Sequence, residues 1–423
     1  MATRITATAA AIGLAGAALA LQPARAARAD AGVPAASGGS VPFSVADPAT
    51  APRPVVTVEI GGVPLLLLLD TGSTGIRISA DKVPAKAVTI TGAAAPYGYG
   101  SGVRLHGDKA DTDVTIGGYH TGSLPIELVR STDCFPDKPD CPAAHGAKPA
   151  MFGGVLDGVM GVSLETAAGL VNPMWTLRDQ AGAYVGRQFA VQFAPDQFSG
   201  NILLGVPPTG YGLVQLPTSP VLKAKRVTAV PQAGDARTAA ERYASYHSYA
   251  ARPLERAMLG GGIRQRQTAL PAAPAPVAAA DPATDTPTSW NPRAVRTCLA
   301  GVGLPKSCAP AMFDSGTPNF VLDVPGATPG TWPAGRALQA GVPQVGWNQT
   351  FTSGPGTGVI VTDSASSDTG GSLLGLPAFA RGPIRFDLVA GTVGFPSPGA
   401  SSPAPAGRSL LQAAPVPAVA PPP

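Results

Sequence analysis

Histidine is scarce, with only His106, His120, His145 and His247 in 423 residues. None of the four sits in a recognisable motif and no Gly-x-Ser-x-Gly occurs, which disfavours a Ser/His/Asp hydrolase. The lack of His-Glu-x-x-His and of any Cys/His cluster removes a zinc enzyme. Charge is sparse as well: 13% of residues, with a formal balance of +4. Without a dense Lys/Arg stripe or aromatics interleaved with basic residues, the chain has no electrostatic footprint for nucleic acid. Beyond the N-terminal region no apolar run could span a bilayer, so no stable membrane span is expected. Neither a metal nor an organic cofactor is implied.

Cysteine is also limited, to four residues, in two close-spaced couples, neither of them at metal-ligand C-x-x-C spacing. Their redox state follows from the N-terminus, where Arg4 precedes an apolar run over residues 9–21. Small-residue cleavage patterns then appear at Ala24-Arg25-Ala26 and Ala27-Arg28-Ala29. This is the layout of a secretory signal, so residues 1–29 are expected to be a signal peptide directing the chain to a periplasm or out of the cell. Export makes disulfides the natural reading. Four cysteines allow three connectivities. Pairing Cys134 with Cys141 and Cys298 with Cys308 keeps each bridge inside one half and closes short loops, worth ~2–3 kcal/mol each.

Glycine and proline are plentiful, at 52 and 47 residues, and 44% of the chain is apolar. That composition suits many short strands joined by turns, an all-β body, and the length suits two lobes. Residues 30–53 are rich in Gly, Ala, Ser and Pro, with little to bury, and a disordered leader is expected there, with order beginning near Pro54. Between residues 54 and 227, apolar or alternating runs at 55–60, 65–69, 114–116, 189–193 and 202–204 outline an N-terminal β lobe. Residues 228–288 break the pattern with Arg-rich and Pro/Ala-rich segments and read as a disordered insertion. A C-terminal β lobe is expected over 289–396, and a disordered Pro/Ala tail over 397–423.

Within this frame one pattern occurs twice. Leu65-Leu66-Leu67-Leu68-Leu69 runs into Asp70-Thr71-Gly72-Ser73, and Ala311-Met312-Phe313 runs into Asp314-Ser315-Gly316-Thr317. Each is an apolar strand followed by Asp, a hydroxyl residue, Gly and a second hydroxyl residue. A buried strand end delivers a carboxylate into dry surroundings, and Gly72 and Gly316 let the facing backbone come close. Ser73 and Thr317 are placed to donate to the carboxylates, and Thr71 and Ser315 to tie the two loops together. Two carboxylates held that near cannot both ionise, so one proton is shared and the pair contains one acid and one base. A third copy, Asp368-Thr369-Gly370, follows polar serines rather than an apolar strand and reads as a surface turn. Downstream of each retained copy lies an apolar strand ending in Gly: residues 154–161 after Asp70, and Ser372-Leu373-Leu374-Gly375 after Asp314.

The order of these pieces resembles the pepsin-like aspartic peptidases, in a divergent form. In that family a flap hairpin with a Tyr in a Tyr-Gly-x-Gly-Ser pattern follows the first Asp loop. Tyr97-Gly98-Tyr99-Gly100-Ser101 matches it, with Tyr97 at the flap position. Residues 200–205 resemble the strand closing the first lobe, and Arg385-Phe386-Asp387 with Val393-Gly394-Phe395 the family's final strand pair. The likeness covers roughly 54–227 and 289–396. It departs from the family after the first Asp loop, where an aromatic residue that hydrogen-bonds the flap Tyr gives way to Gly75-Ile76-Arg77-Ile78. What the resemblance implies is a bilobal fold with the active site between the lobes. It also implies an aspartic endopeptidase, acting as a monomer on peptide or protein substrates through Asp70 and Asp314. The rival expectation is a non-catalytic protein of the same fold that holds a peptide or glycan.

Overall fold

The structure is a computed structural model and describes residues 39–46, 52–145, 156–167, 169–194, 197–219, 286–354, 357–362 and 371–397. The expected signal peptide, nearly all of the expected insertion and tail, and Asp368-Thr369-Gly370 lie outside these residues. The described part is almost entirely β. From the first half come β1 (Ser40–Ala46), β2 (Arg53–Ile60), β3 (Val63–Asp70), β4 (Thr74–Ser79), β5 (Thr89–Ala93) and β6 (Tyr97–Gly98). They are followed by β7 (Val103–Ile116), β8 (Tyr119–Cys134), β9 (Gly158–Val162), β10 (Gln188–Phe193), β11 (Ser199–Leu204) and β12 (Tyr211–Gln215). The second half supplies β13 (Val295–Gly301), β14 (Leu304–Phe313), β15 (Phe320–Asp323), β16 (Gly330–Thr331), β17 (Ala337–Val342) and β18 (Trp347–Thr352). β19 (Val359–Thr362), β20 (Ser372–Leu374), β21 (Ile384–Asp387) and β22 (Thr392–Pro396) complete it. Pro173–Thr176 and Leu376–Phe379 are single helical turns, each with Pro in its first turn. No helix among the described residues is long and apolar enough to cross a membrane.

Two sheets result, one of 14 strands and one of 8. Each contains the same local unit. β9 lies between β3 and β4, parallel to the first and antiparallel to the second. β20 lies between β14 and β15 in the same two senses. The two downstream apolar segments marked in the sequence are therefore the strands that separate the chain entering each Asp loop from the chain leaving it. β3 and β9 are continuous apolar runs because both faces are covered, as parallel pairs generally are.

Two expectations need correction. The leader assigned to 30–53 is not all irregular, since residues 40–46 form β1, paired with β2 and β11. Val41, Phe43 and Val45 alternate into the core. Local composition hid a period-two pattern that becomes useful only once the partner strands are present. The final strands also leave the C-terminal half: β21 pairs with β10 and β22 with β12, so both extend the first sheet. Arg385 and Asp387 are buried there as an ion pair at 2.9 Å, with Arg385 Nε also donating to the Val206 carbonyl at 2.8 Å. Phe395 of β22 packs edge-on against Phe313, their ring centroids 4.8 Å apart, and so ties the first sheet to the strand that carries the second Asp loop.

Both disulfides join the expected partners, Cys134 with Cys141 and Cys298 with Cys308. The second links facing positions of the β13–β14 hairpin. The first closes the loop after β8, beside the tip of the β6–β7 hairpin, where Phe135 N–H donates to the Gly102 carbonyl at 2.9 Å.

Candidate active site

β3 ends at Asp70 and β14 runs into Asp314, and the two loops are brought face to face by crossed hydrogen bonds. Thr71 N–H donates to Ser315 Oγ at 3.0 Å, and Ser315 N–H donates to Thr71 Oγ1 at 2.9 Å. Each hydroxyl then donates into the other half: Thr71 to the Phe313 carbonyl at 2.9 Å, Ser315 to the Leu69 carbonyl at 2.7 Å. All four bonds are buried, so they fix the separation of the two strand ends where water cannot compete.

The carboxylates have equivalent partners. Asp70 Oδ1 accepts from Gly72 N–H at 2.8 Å, and Asp70 Oδ2 from Ser73 Oγ at 2.5 Å. Asp314 Oδ1 accepts from Gly316 N–H at 2.8 Å, and Asp314 Oδ2 from Thr317 Oγ1 at 2.6 Å. The glycines are required by proximity. A Cβ on Gly72 would lie 2.6 Å from Asp314 Oδ1, and one on Gly316 would lie 2.5 Å from Asp70 Oδ1. Each loop backbone thus passes against the opposite carboxylate.

Asp70 and Asp314 are 6% and 7% exposed. Burial holds Asp70 well above the usual carboxylate range. The Asp314 charge adds to the shift, and the Ser73 and Gly72 hydrogen bonds offset it in part. Burial and a neighbouring carboxyl both disfavour the ionised form of such a group.

Of the hairpin residues singled out in the sequence, Tyr97 and Tyr99 lie within electrostatic reach of Asp70. Burial raises the phenol pKa of Tyr97 while Arg77 pulls the other way. Its ring meets that of Tyr99 edge-on at 5.1 Å. At the hairpin tip Tyr99 N–H donates to the Val103 carbonyl and Gly102 N–H to the Tyr99 carbonyl, both at 2.9 Å, while Lys138 Nζ reaches the Gly100 carbonyl at 3.0 Å. Gly98 lies against the Phe135 ring, and Ser101 is at the tip.

Three charged residues around the Asp loops and the hairpin have no role in the expectations drawn from the sequence. Arg53 of β2 donates from Nη1 to the Gly316 carbonyl at 2.7 Å, a charge-assisted bond onto the second Asp loop. Arg77 of β4 lies under the Tyr97 ring, with its Cζ 3.5 Å from the centroid. Glu165 accepts from Thr74 Oγ1 through its carbonyl and from Ser219 Oγ through its carboxylate at 3.2 Å. Burial raises its pKa. The only signal for Arg77 was its departure from the flap-neighbour pattern; Arg53 and Glu165 carried none.

Comparison with protein-family models and with curated proteins finds no match. Among solved structures, the chain is similar to the crystal structure of the aspartic proteinase from Irpex lacteus. That likeness has 15% identity and a TM-score of 0.46, and it covers 86% of this chain and 98% of that one. At this level it carries no argument about activity, and a functional reading rests on the residues themselves.

Proposed function

We propose that the chain is an aspartic-type endopeptidase in which Asp70 and Asp314 activate a water molecule for attack on a peptide bond. The observation that carries this reading is the crossed Thr71–Ser315 bonding that holds two buried carboxyls against each other, with Asp70 inclined to keep its proton. The pair carries one proton between them. The ionised carboxylate takes a proton from water as the water oxygen bonds to the peptide carbonyl carbon. The protonated carboxyl gives its proton to the carbonyl oxygen, forming a neutral tetrahedral diol. The newly protonated carboxyl then gives its proton to the amide nitrogen while a diol hydroxyl returns its proton to the other carboxylate, so that the C–N bond breaks and the pair is restored, with no covalent enzyme intermediate. Ser73, Thr317, Gly72 and Gly316 hold the carboxylates in orientation through these steps by the hydrogen bonds they donate, and Thr71 and Ser315 hold them at fixed separation.

An extended peptide would add as a strand beneath the Tyr97–Ser101 hairpin, which excludes water from the reacting amide. The two disulfides support export to an oxidising compartment, a periplasm or the extracellular space. The test is cleavage of a mixed peptide library between roughly pH 3 and 7, where a carboxyl pair can share one proton. A peptide analogue with a secondary alcohol in place of the scissile amide mimics the diol and should block that cleavage. Binding of library peptides without turnover under all conditions would contradict the reading.

A further inference from the structure

Arg77 and Glu127 are the strongest feature near the site that this chemistry does not use. They are register partners across parallel β4 and β8, with side chains 1% and 2% exposed and Arg77 Nε donating to Glu127 Oε2 at 3.1 Å. Arg77 Nη1 also donates to the Thr74 carbonyl at 2.9 Å, within the strand that leaves the first Asp loop. The guanidinium is held along its edge by these two acceptors. Its face is covered by the Tyr97 ring, and it lies close enough to Asp70 to feel that charge. Glu127 Oε1 has no hydrogen-bond partner among the described residues, so this pair is not saturated. Burial pushes Glu127 up, against the pull of Arg77.

A buried ion pair is a weak source of stability, because apolar residues of similar volume commonly serve as well. This pair provides something an apolar pair would not: a flat, fixed cation beneath the electron-rich face of the hairpin tyrosine. The hairpin tip is braced separately, by the Phe135 N–H and Lys138 ammonium bonds to the Gly102 and Gly100 carbonyls. Among these contacts Arg77 is the one made to the Tyr97 ring, and it also lies within electrostatic reach of Asp70.

Resting on the peptidase reading above, we infer that Arg77 is a positioning residue: clamped by Glu127 and the Thr74 carbonyl, it seats Tyr97 over the carboxyl pair by a cation–π contact and sets the closed position of the hairpin. Arg77→Lys keeps a cation and loses the flat stack. Arg77→Met alone strands a buried carboxylate, a fault that would itself destabilise the fold, so it is paired with Glu127→Gln.

The experiment is amide hydrogen exchange on the full chain, comparing peptides that cover residues 97–102 with peptides from β2 and β3. The clamp predicts about tenfold faster exchange at 97–102 in Arg77→Met/Glu127→Gln, with β2 and β3 unchanged and Arg77→Lys in between. Unchanged exchange at 97–102, or equal acceleration everywhere, would overturn it. On a peptide the wild type cleaves, kcat/KM should fall by about tenfold in the double variant and recover partly in Arg77→Lys; an unaltered kcat/KM would overturn the positioning role. If the wild type cleaves no peptide, the peptidase reading fails alone, and the exchange measurement still decides the clamp.

Discussion

Thr71→Val exchanges one hydroxyl for a methyl of nearly the same size, at a position that is 1% exposed and therefore cannot recruit water. Thr71 Oγ1 makes two bonds, accepting from Ser315 N–H and donating to the Phe313 carbonyl. Its removal leaves the Ser315 amide, in a fully buried residue, without the acceptor it has in the native structure. An orphaned buried donor costs about 1–3 kcal/mol, and the lost bond to the carbonyl about 0.5–1.5 kcal/mol more. The expected destabilisation is about 2–4 kcal/mol, a large share of the 5–15 kcal/mol typical of folded domains. Guanidinium chloride unfolding, monitored with an unchanged m-value, measures it. Thr71→Ser keeps the hydroxyl and should lose less than about 1 kcal/mol. Ser315→Ala removes the reciprocal pair of bonds and should not add fully to Thr71→Val, because the two residues share partners. If Thr71→Val cost less than about 0.5 kcal/mol, or cost no more than Thr71→Ser, the crossed bonds would not hold the halves together.

The remaining predictions use other parts of the same geometry. Because burial raises Asp70 in the folded state, the folded protein keeps a proton that the unfolded chain has released. This contribution to stability is therefore greatest at low pH and falls as pH rises from about 4 toward the raised value, by at most about 1.4 kcal/mol per unit. Unfolding midpoints between pH 4 and 7 should show a shallower decline in Asp70→Asn than in wild type, and parallel declines would refute the assignment. Gly316→Ala would place a methyl 2.5 Å from Asp70 Oδ1; peptide cleavage should drop by about a hundredfold or more as the carboxyl is displaced, and near-normal turnover would mean that the pair tolerates separation. Phe43→Ala in β1 should cost about 3–5 kcal/mol by calorimetry or denaturant, whereas a flexible segment there would tolerate it within about 0.5 kcal/mol.

What could be read from the sequence follows from how local the physics is. The two Asp loops carry strand, acid, hydroxyl and glycine within a few residues, and the spacing of the cysteine couples suited short loops. The strands at residues 158–162 and 372–374 stood out because burial of every residue leaves them uncharged and, but for Ser372, apolar. β1 was missed because Ser and Pro alternate with its buried Val and Phe, and the pattern is short and set in a Gly/Ala-rich stretch. The sheet that β21 and β22 join is a choice of partner, made by pairing with β10 and β12 and by the stacking of Phe386 on Phe189 rather than by either strand alone. Arg77 stood out only as part of the segment that replaces the usual aromatic residue after the first Asp loop. Its burial depends on Glu127, which lies 50 residues away in sequence and opposite it in the sheet.

The account stands or falls on both carboxyls acting as one unit. The most direct measurement is the rate of peptide cleavage by the wild type, Asp70→Asn and Asp314→Asn at a single mildly acidic pH, with folding of each variant checked by its unfolding transition. The account predicts cleavage by the wild type and its loss in both folded variants, whereas undiminished cleavage in either one would contradict it.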